Sequence, residues 1–230
     1  MLIAFQAAMQ TTVEGVDCTI GSLQDLIFAR ESWQIRYLAV ATGQFFGRRR
    51  ALFSPEAVRQ IDWSRGSISV DASQEQIVTM PRLDGELPSR HEERELTGHF
   101  GWPPYWETTV PVVTEEPPRL WGTKELIGYD VDAQDGEVGY VEDLIFDDHS
   151  WRIRYLVVDI GSWLSGRRIL AAPDWAHEID WDSRDVRMNL TKGAIEGGPP
   201  FDPNAPVNRE YEHQLHDYYG RPKYWEATER

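Results

Sequence analysis

The sequence predicts a mainly β protein: two tandem small β-barrels, each followed by a short helix and an aromatic tail. Three observations carry this. Sliding the chain over itself by 118 positions aligns residues 13–77 with 131–195 without a gap, and 23 of the 65 aligned residues are identical. The aligned segments are short, rich in Val, Ile, Leu, Phe, Tyr and Trp, and separated by polar turns, which is a strand pattern and not that of long helices. The apolar alternation slips from spacing two to spacing three around Gly21 and Gly139, which asks for a β-bulge, a device that bends strands around a small closed barrel.

A period this long exceeds the 20–50 residues of solenoid units, so the duplicated object is a whole domain. The first domain is expected at 1–110, ending in the aromatic pair Tyr105-Trp106, and the second at 121–230, ending in Tyr224-Trp225. Between them, 111–120 lies in the Pro- and Glu-rich stretch "VPVVTEEPPRLWGTKEL", a composition suited to a linker. In the second copy, strands are expected at 138–146, 153–160, 168–172 and 185–190. The segment "PDWAHEID" opens on Pro173 and suits a single helical or 3₁₀ turn, and "TKGAI" suits another.

The sentence repeated best is "DLIFARESWQIRYLAVATG" at 25–43 and "DLIFDDHSWRIRYLVVDIG" at 143–161. If "ARES" and "DDHS" are four-residue hairpin loops, loop length sets the register. Phe28 then faces Trp33, Leu26 faces Ile35 and Asp25 faces Arg36. The second copy sets Phe146 against Trp151, Leu144 against Ile153 and Asp143 against Arg154. Each cross-strand pair would contribute roughly 0.2–1 kcal/mol, with the Asp–Arg pair as a register pin.

The stretch "LIGYDVDAQDGEVGYVEDLIFDDHSWRIRYLVVDIG", followed by "RRILAAPDW" and "VRMNLTKGAI", resembles the PRC-barrel family, and the internal alignment extends the likeness to the first copy. This family's small barrel occurs in the cytoplasmic part of the photosynthetic reaction centre H subunit, in a ribosome-maturation factor and in stand-alone bacterial and archaeal proteins. The resemblance implies a binding or assembly module with no catalytic residues to carry over. It also offers a second reading, an accessory protein of photosynthetic or membrane electron-transfer complexes. An enzyme using a cleft between the barrels is a third. Neither the membrane helix of an H subunit nor the distinct N-terminal barrel of the ribosome factor has a counterpart in this sequence.

Bulk properties narrow the partners. A formal net charge of −15 repels phosphates and anionic lipid heads, so nucleic acid and membrane surfaces are not expected partners. A single cysteine, Cys18, excludes an intrachain disulfide and a cysteine-built zinc site. The N-terminus lacks a basic start and a cleavage pattern, and no apolar run reaches the ~20 residues that cross a bilayer. A cytoplasmic protein is the expectation, with a protein partner and with a homodimer as one way to bury its tails.

Candidate chemistry is thin, and no catalytic, cofactor-binding or metal-ligating residue is assigned. "DVDAQDGEVGYVE", 130–142, fails as a calcium loop because Val141 stands where the closing Glu is needed, and a turn at Asp135-Gly136 explains it better. His213 and His216 share a helix face, yet copy one places its histidines differently, at His91 and His99, so a solvated face accounts for the pair. Arg48-Arg49-Arg50 and Arg167-Arg168 could clamp a carboxylate or phosphate, with aggregation-blocking charges on an edge strand as the plainer account. The Tyr-Trp tails carry more apolar area than a polar extension can leave exposed, so docking inside the protein is expected.

Overall fold

The computed structural model describes residues 1–108, 119–161 and 166–226. The chain divides into two compact units, one of residues 8–124 and one of residues 1–7 with 125–230. In the first unit the strands pair in the order Arg50–Phe53, Gln34–Thr42, Thr19–Ala29, Thr12–Glu14, Ser67–Val70, Val58–Asp62. Only the contact of Thr12–Glu14 with Ser67–Val70 is parallel among these pairs. The second unit repeats that order with Arg168–Ala171, Arg152–Asp159, Gly136–Asp147, Asp130–Ala133, Asp185–Met188 and Ala176–Asp180, and again its third and second strands from the end pair in parallel. It adds Pro200–Phe201 outside Arg168–Ala171.

The unit boundaries differ from 1–110 and 121–230 at the chain's start and at the junction. Leu2–Ala4 pairs with Ile145, Phe146 and Asp147, so the N-terminal strand belongs to the second unit. Leu120–Gly122, lying 118 positions later, pairs with Ile27, Phe28 and Ala29 of the first unit. The two short strands have thus exchanged units. Most of the expected linker, 111–118, lies outside the described residues, but Leu120 is a strand residue.

The slip around the two glycines is a bulge: Val13 pairs with Gly21 and Glu14 with Thr19, while Val131 pairs with Gly139 and Asp132 with Glu137. Why glycine stands there is a matter of approach. A Cβ on Gly21 would lie 1.9 Å from the Ala41 carbonyl oxygen, and one on Gly139 would lie 1.8 Å from that of Asp159. The helical turn expected over 173–180 covers only Pro173–Trp175, and Ala176–Asp180 is a strand. "TKGAI" forms the helix Lys192–Glu196, capped by Thr191, whose hydroxyl accepts from the Ala194 amide at 3.3 Å.

The hairpin register requires correction. Ala29 pairs with Gln34 and Asp147 with Arg152, so the loops are one residue later than expected. Trp33 and Trp151 close them in the left-handed region, at φ 58° and 50°, which bulky residues rarely occupy. Their rings still lie stacked on Phe28 and Phe146, at 5.2 and 6.1 Å, so the aromatic pairs survive. The other pairs do not. Leu26 faces Leu38, Leu144 faces Leu156, Asp25 faces Ala39 and Asp143 faces Val157. A further bulge skips Arg36 between Tyr37 and Ile35, and Arg154 between Tyr155 and Ile153. The Asp–Arg pin is therefore absent, and both arginines are aimed elsewhere.

Each unit has its own core beneath these strands, with Leu23, Leu26, Tyr37 and Phe53 buried in the first and Leu144, Tyr155, Leu156 and Leu170 in the second. Among the described residues no helix is long and apolar enough to cross a membrane.

Candidate functional site

The repeat builds one polar cluster twice. In the first unit the helix Arg90–Phe100 starts on a Ser89 capping box, placing Arg90 and Glu93 on one face at i, i+3. Glu93 is 2% exposed. Its Oε1 accepts from the Tyr37 and Tyr105 hydroxyls at 3.0 and 2.8 Å, and its Oε2 lies 2.9 Å from Arg90. The bulged Arg36 lies over the Tyr105 ring at 4.1 Å, and Arg90 lies over Trp106 at 4.4 Å.

The second unit matches this residue for residue. Glu212, also 2% exposed, accepts from Tyr155 at 2.9 Å and Tyr224 at 2.8 Å and pairs with Arg209 at 2.9 Å. Arg154 covers Tyr224 at 3.9 Å, and Arg209 covers Trp225 at 4.3 Å. Both tails therefore dock on their own unit, and each bulge is what points an arginine at its tail. Burial raises the Glu93 carboxyl against the two hydroxyls and the guanidinium that favour its charge. Burial, together with the neighbouring carboxylate, pushes the Tyr37, Tyr105 and Tyr155 hydroxyls far up and Tyr224 to about 12, so all four stay protonated and donate.

The copies part at one position of this cluster. Thr97, whose hydroxyl donates to the Glu93 carbonyl at 3.0 Å, is replaced by His216. The His216 Nε2 is 3.0 Å from the Tyr155 hydroxyl and its Nδ1 is 2.8 Å from the Pro222 carbonyl. A carbonyl only accepts, so Nδ1 carries the proton of the neutral ring, Nε2 accepts, and the single Tyr155 O–H is shared between Nε2 and Glu212. Burial pulls the His216 pKa below the ordinary histidine value.

A second feature lies in the first unit. A cavity of about 370 Å³ lies against Phe45, Arg49, Arg50, Val78 and Arg82. Phe45 and Val78 are 73% and 53% exposed. Arg49 turns its guanidinium to the end of the helix Gln74–Thr79, donating to the carbonyls of Ile77, Val78 (3.2 Å) and Met80 (3.3 Å). Arg50 faces Asp25 at 3.7 Å.

With the fold and these sites in place, the family can be stated: residues 122–195 match the family described as PRC-barrel domain. Over that segment the chain is similar to a PRC-barrel domain. No curated protein matches the chain. The matched PRC-barrel segment spans Gly122 to Ile195, from the end of the exchanged strand to the helix Lys192–Glu196, and stops short of the helix and tail that hold Glu212 and Tyr224.

Within and beside the PRC-barrel segment, the sequence-derived candidates fall as follows. His216 is 3% exposed with both ring nitrogens engaged, so it sits on the packed side of its helix and not on a solvated face, and it cannot join His213 on a metal. His213 packs on Trp225 at 5.1 Å. In copy one His91 faces Glu95, and His99 reaches the Gln76 carbonyl at 2.8 Å. The turn falls one residue earlier than expected, at Gln134-Asp135, with Gly136 opening the next strand and Asp135 accepting from the Lys192 amide at 2.6 Å.

The basic pair of the second copy is not an edge device. Pro200–Phe201 covers that strand, Arg167 donates to the Gly198 carbonyl at 2.9 Å, and Arg168 makes a two-pronged pair with Glu142. Asp147, Asp148 and His149 group their ligand atoms within 4.8 Å, with the Met1 ammonium against them and Arg154 at 3.7 Å from Asp147. The repeated glutamates and the Arg82 side of the cavity were absent from the sequence reading. The spacing Arg-x-x-Glu with Tyr-Trp twelve residues on, present in both copies, was the available signal for the former.

Proposed function

We propose that the protein is a non-enzymatic interaction and assembly module of the cytoplasm, built from two PRC-barrel repeats and binding a protein partner. The observation that carries this is how the buried acids are used. An acid or base catalyst needs an accessible reacting group, and Glu93 and Glu212 are sealed by two tyrosines and an arginine each. Asp143, held up at about 6 by burial, turns Oδ1 to the amides of Leu144 and Gln6 at 2.8 and 3.1 Å. What stays open is a ledge of apolar and basic side chains, the composition of a contact surface.

Crosslinking in the source cells followed by affinity purification tests the module. A reproducible protein neighbour is expected, recovered in lower yield from a Phe45→Ser chain. A chain recovered alone from both preparations refutes the reading.

A further inference from the structure

We propose that the cavity bounded by Phe45, Val78, Arg49, Arg50 and Arg82 is a docking site for a short acidic segment of a partner protein, a carboxylate side chain next to an apolar one. The proposal rests on the interaction-module reading and names the chemistry of its partner.

Charge is the first argument. The molecule carries a net charge of −15, yet this wall gathers three arginines. Arg82 makes no hydrogen bond or ion pair among the described residues, and its charge adds to burial in pulling the Arg49 guanidinium below its ordinary range. Asp25 stands 3.7 Å from Arg50, so the charge left without a counterion is that of Arg82 beside Arg49, and a guanidinium fork suits a carboxylate. The Nε atoms of Arg49 and Arg50 are also buried without a partner.

Position is the second argument. The second unit gives Arg168 a two-pronged acid in Glu142, whereas Arg50 of the first has Asp25 at 3.7 Å. The aligned residue of the first unit is Gln24, whose amide donates to Ser22 at 3.1 Å. Arg82 and Val78 lie beyond the gapless repeat, where the second copy has Pro200 and Glu196 at the same offset. The basic wall therefore belongs to the first unit and is no by-product of the shared fold.

Openness decides the kind of occupant. A small-molecule site buries most of its ligand, whereas Phe45 at 73% and Val78 at 53% exposure form an open ledge that suits a side chain borne on a larger body. Nucleic acid would meet the repulsion of the whole molecule.

The test is an amide-shift NMR titration of the full chain with a capped tetrapeptide of sequence Glu-Leu-Phe-Glu, its Gln-Leu-Phe-Gln counterpart, and phenylacetate. Saturable shifts confined to Phe45, Val78 and Arg82 are expected from the acidic peptide and weaken with salt. Arg82→Glu should lower its affinity by about tenfold or more, the weight of one charged hydrogen bond. Arg59→Glu, a charge-matched change at an exposed residue paired with Asp71, should leave it unchanged. Equal shifts from both peptides, or unchanged affinity in Arg82→Glu, overturn the proposal. Phenylacetate binding as tightly as the peptide overturns the peptide assignment in favour of a small anion. A cellular neighbour retained by Arg82→Glu leaves the module standing and removes this site from it. Peptide binding without any neighbour does the reverse.

Discussion

Asp25 and Asp143 occupy the same place in the repeat, yet opposite outcomes follow from replacing each with asparagine. In the second unit Asp143 has no cation, because Arg168 is taken by Glu142. Burial raises its carboxyl from 3.8 to about 6, only partly offset by the Leu144 and Gln6 amides, and Glu142 adds repulsion. Two pKa units at ~1.4 kcal/mol each set an upper bound of about 3 kcal/mol for the cost of keeping the folded state ionised. The sign follows from the raised value: the folded state holds its proton more tightly, so stability is greatest below 3.8, declines as pH rises to about 6, and is level above. Asparagine keeps the Oδ1 acceptor that serves both amides and removes the charge. Asp143→Asn should therefore be more stable than the parent by ~1–2 kcal/mol at pH 8, with the gain vanishing near pH 4. Asp25 differs because its Oδ1 accepts from the Thr123 hydroxyl at 2.7 Å, from Leu26 and from Lys124, and Arg50 stands 3.7 Å from Oδ2. Asp25→Asn should lose about 1–3 kcal/mol at pH 8. Urea unfolding followed by tryptophan fluorescence at several pH values measures both. A destabilised Asp143→Asn at pH 8, or the same sign at both positions, refutes the reasoning.

His216, held neutral by burial among Tyr155, Glu212, Tyr224 and Lys223, contributes stability above its unfolded value near 6.5 that is lost as pH falls below it. His216→Thr, the residue at the matching position of the first unit, should flatten that dependence in a fluorescence titration of Trp225. Gly139→Ala should cost several kcal/mol, more than its loss of backbone freedom explains, since its Cβ meets the Asp159 carbonyl at 1.8 Å. Thermal unfolding measures this, and a cost below about 1 kcal/mol would show that the strands separate freely there.

Much of the fold was legible because it was written twice. The offset of 118 exposed the duplication, and a slip in alternation repeated at Gly21 and Gly139 marked a true bulge. The hairpin register was not legible, because it turns on Trp33 and Trp151 adopting a left-handed backbone that their residue type disfavours. The strand exchange could not be read at all. Leu2–Ala4 faces Ile145-Phe146 and Leu120–Gly122 faces Ile27-Phe28, two copies of one sequence, and pairing rules do not distinguish a segment's own unit from the other. The tail clusters were half legible: buried aromatics demanded docking, but a buried glutamate as their anchor runs against the rule that acids stay exposed. The basic cavity needed three dimensions, since Arg82 joins Arg49 across 33 positions of chain.

If the function lies where the copies differ, restoring one difference should remove it. At the position where the second unit has Glu142 the first has Gln24, and this change decides whether the neighbouring arginine has a close two-pronged acid or only Asp25 at 3.7 Å. Gln24→Glu would add to Asp25 the closer partner that Arg168 has at 2.7 Å, drawing the Arg50 charge further from the cavity without altering any residue that lines it. A partly exposed pair of this kind contributes up to about 1 kcal/mol, so the fold should be unharmed. The acidic tetrapeptide should nevertheless bind about tenfold more weakly, since an introduced carboxylate both occupies a donor and repels the probe. Unchanged affinity, with the new pair visible in the arginine Nε–H resonances, would mean that Arg50 takes no part in anion recognition. The asymmetry between the copies would then be a detail of folding and not the origin of a binding face.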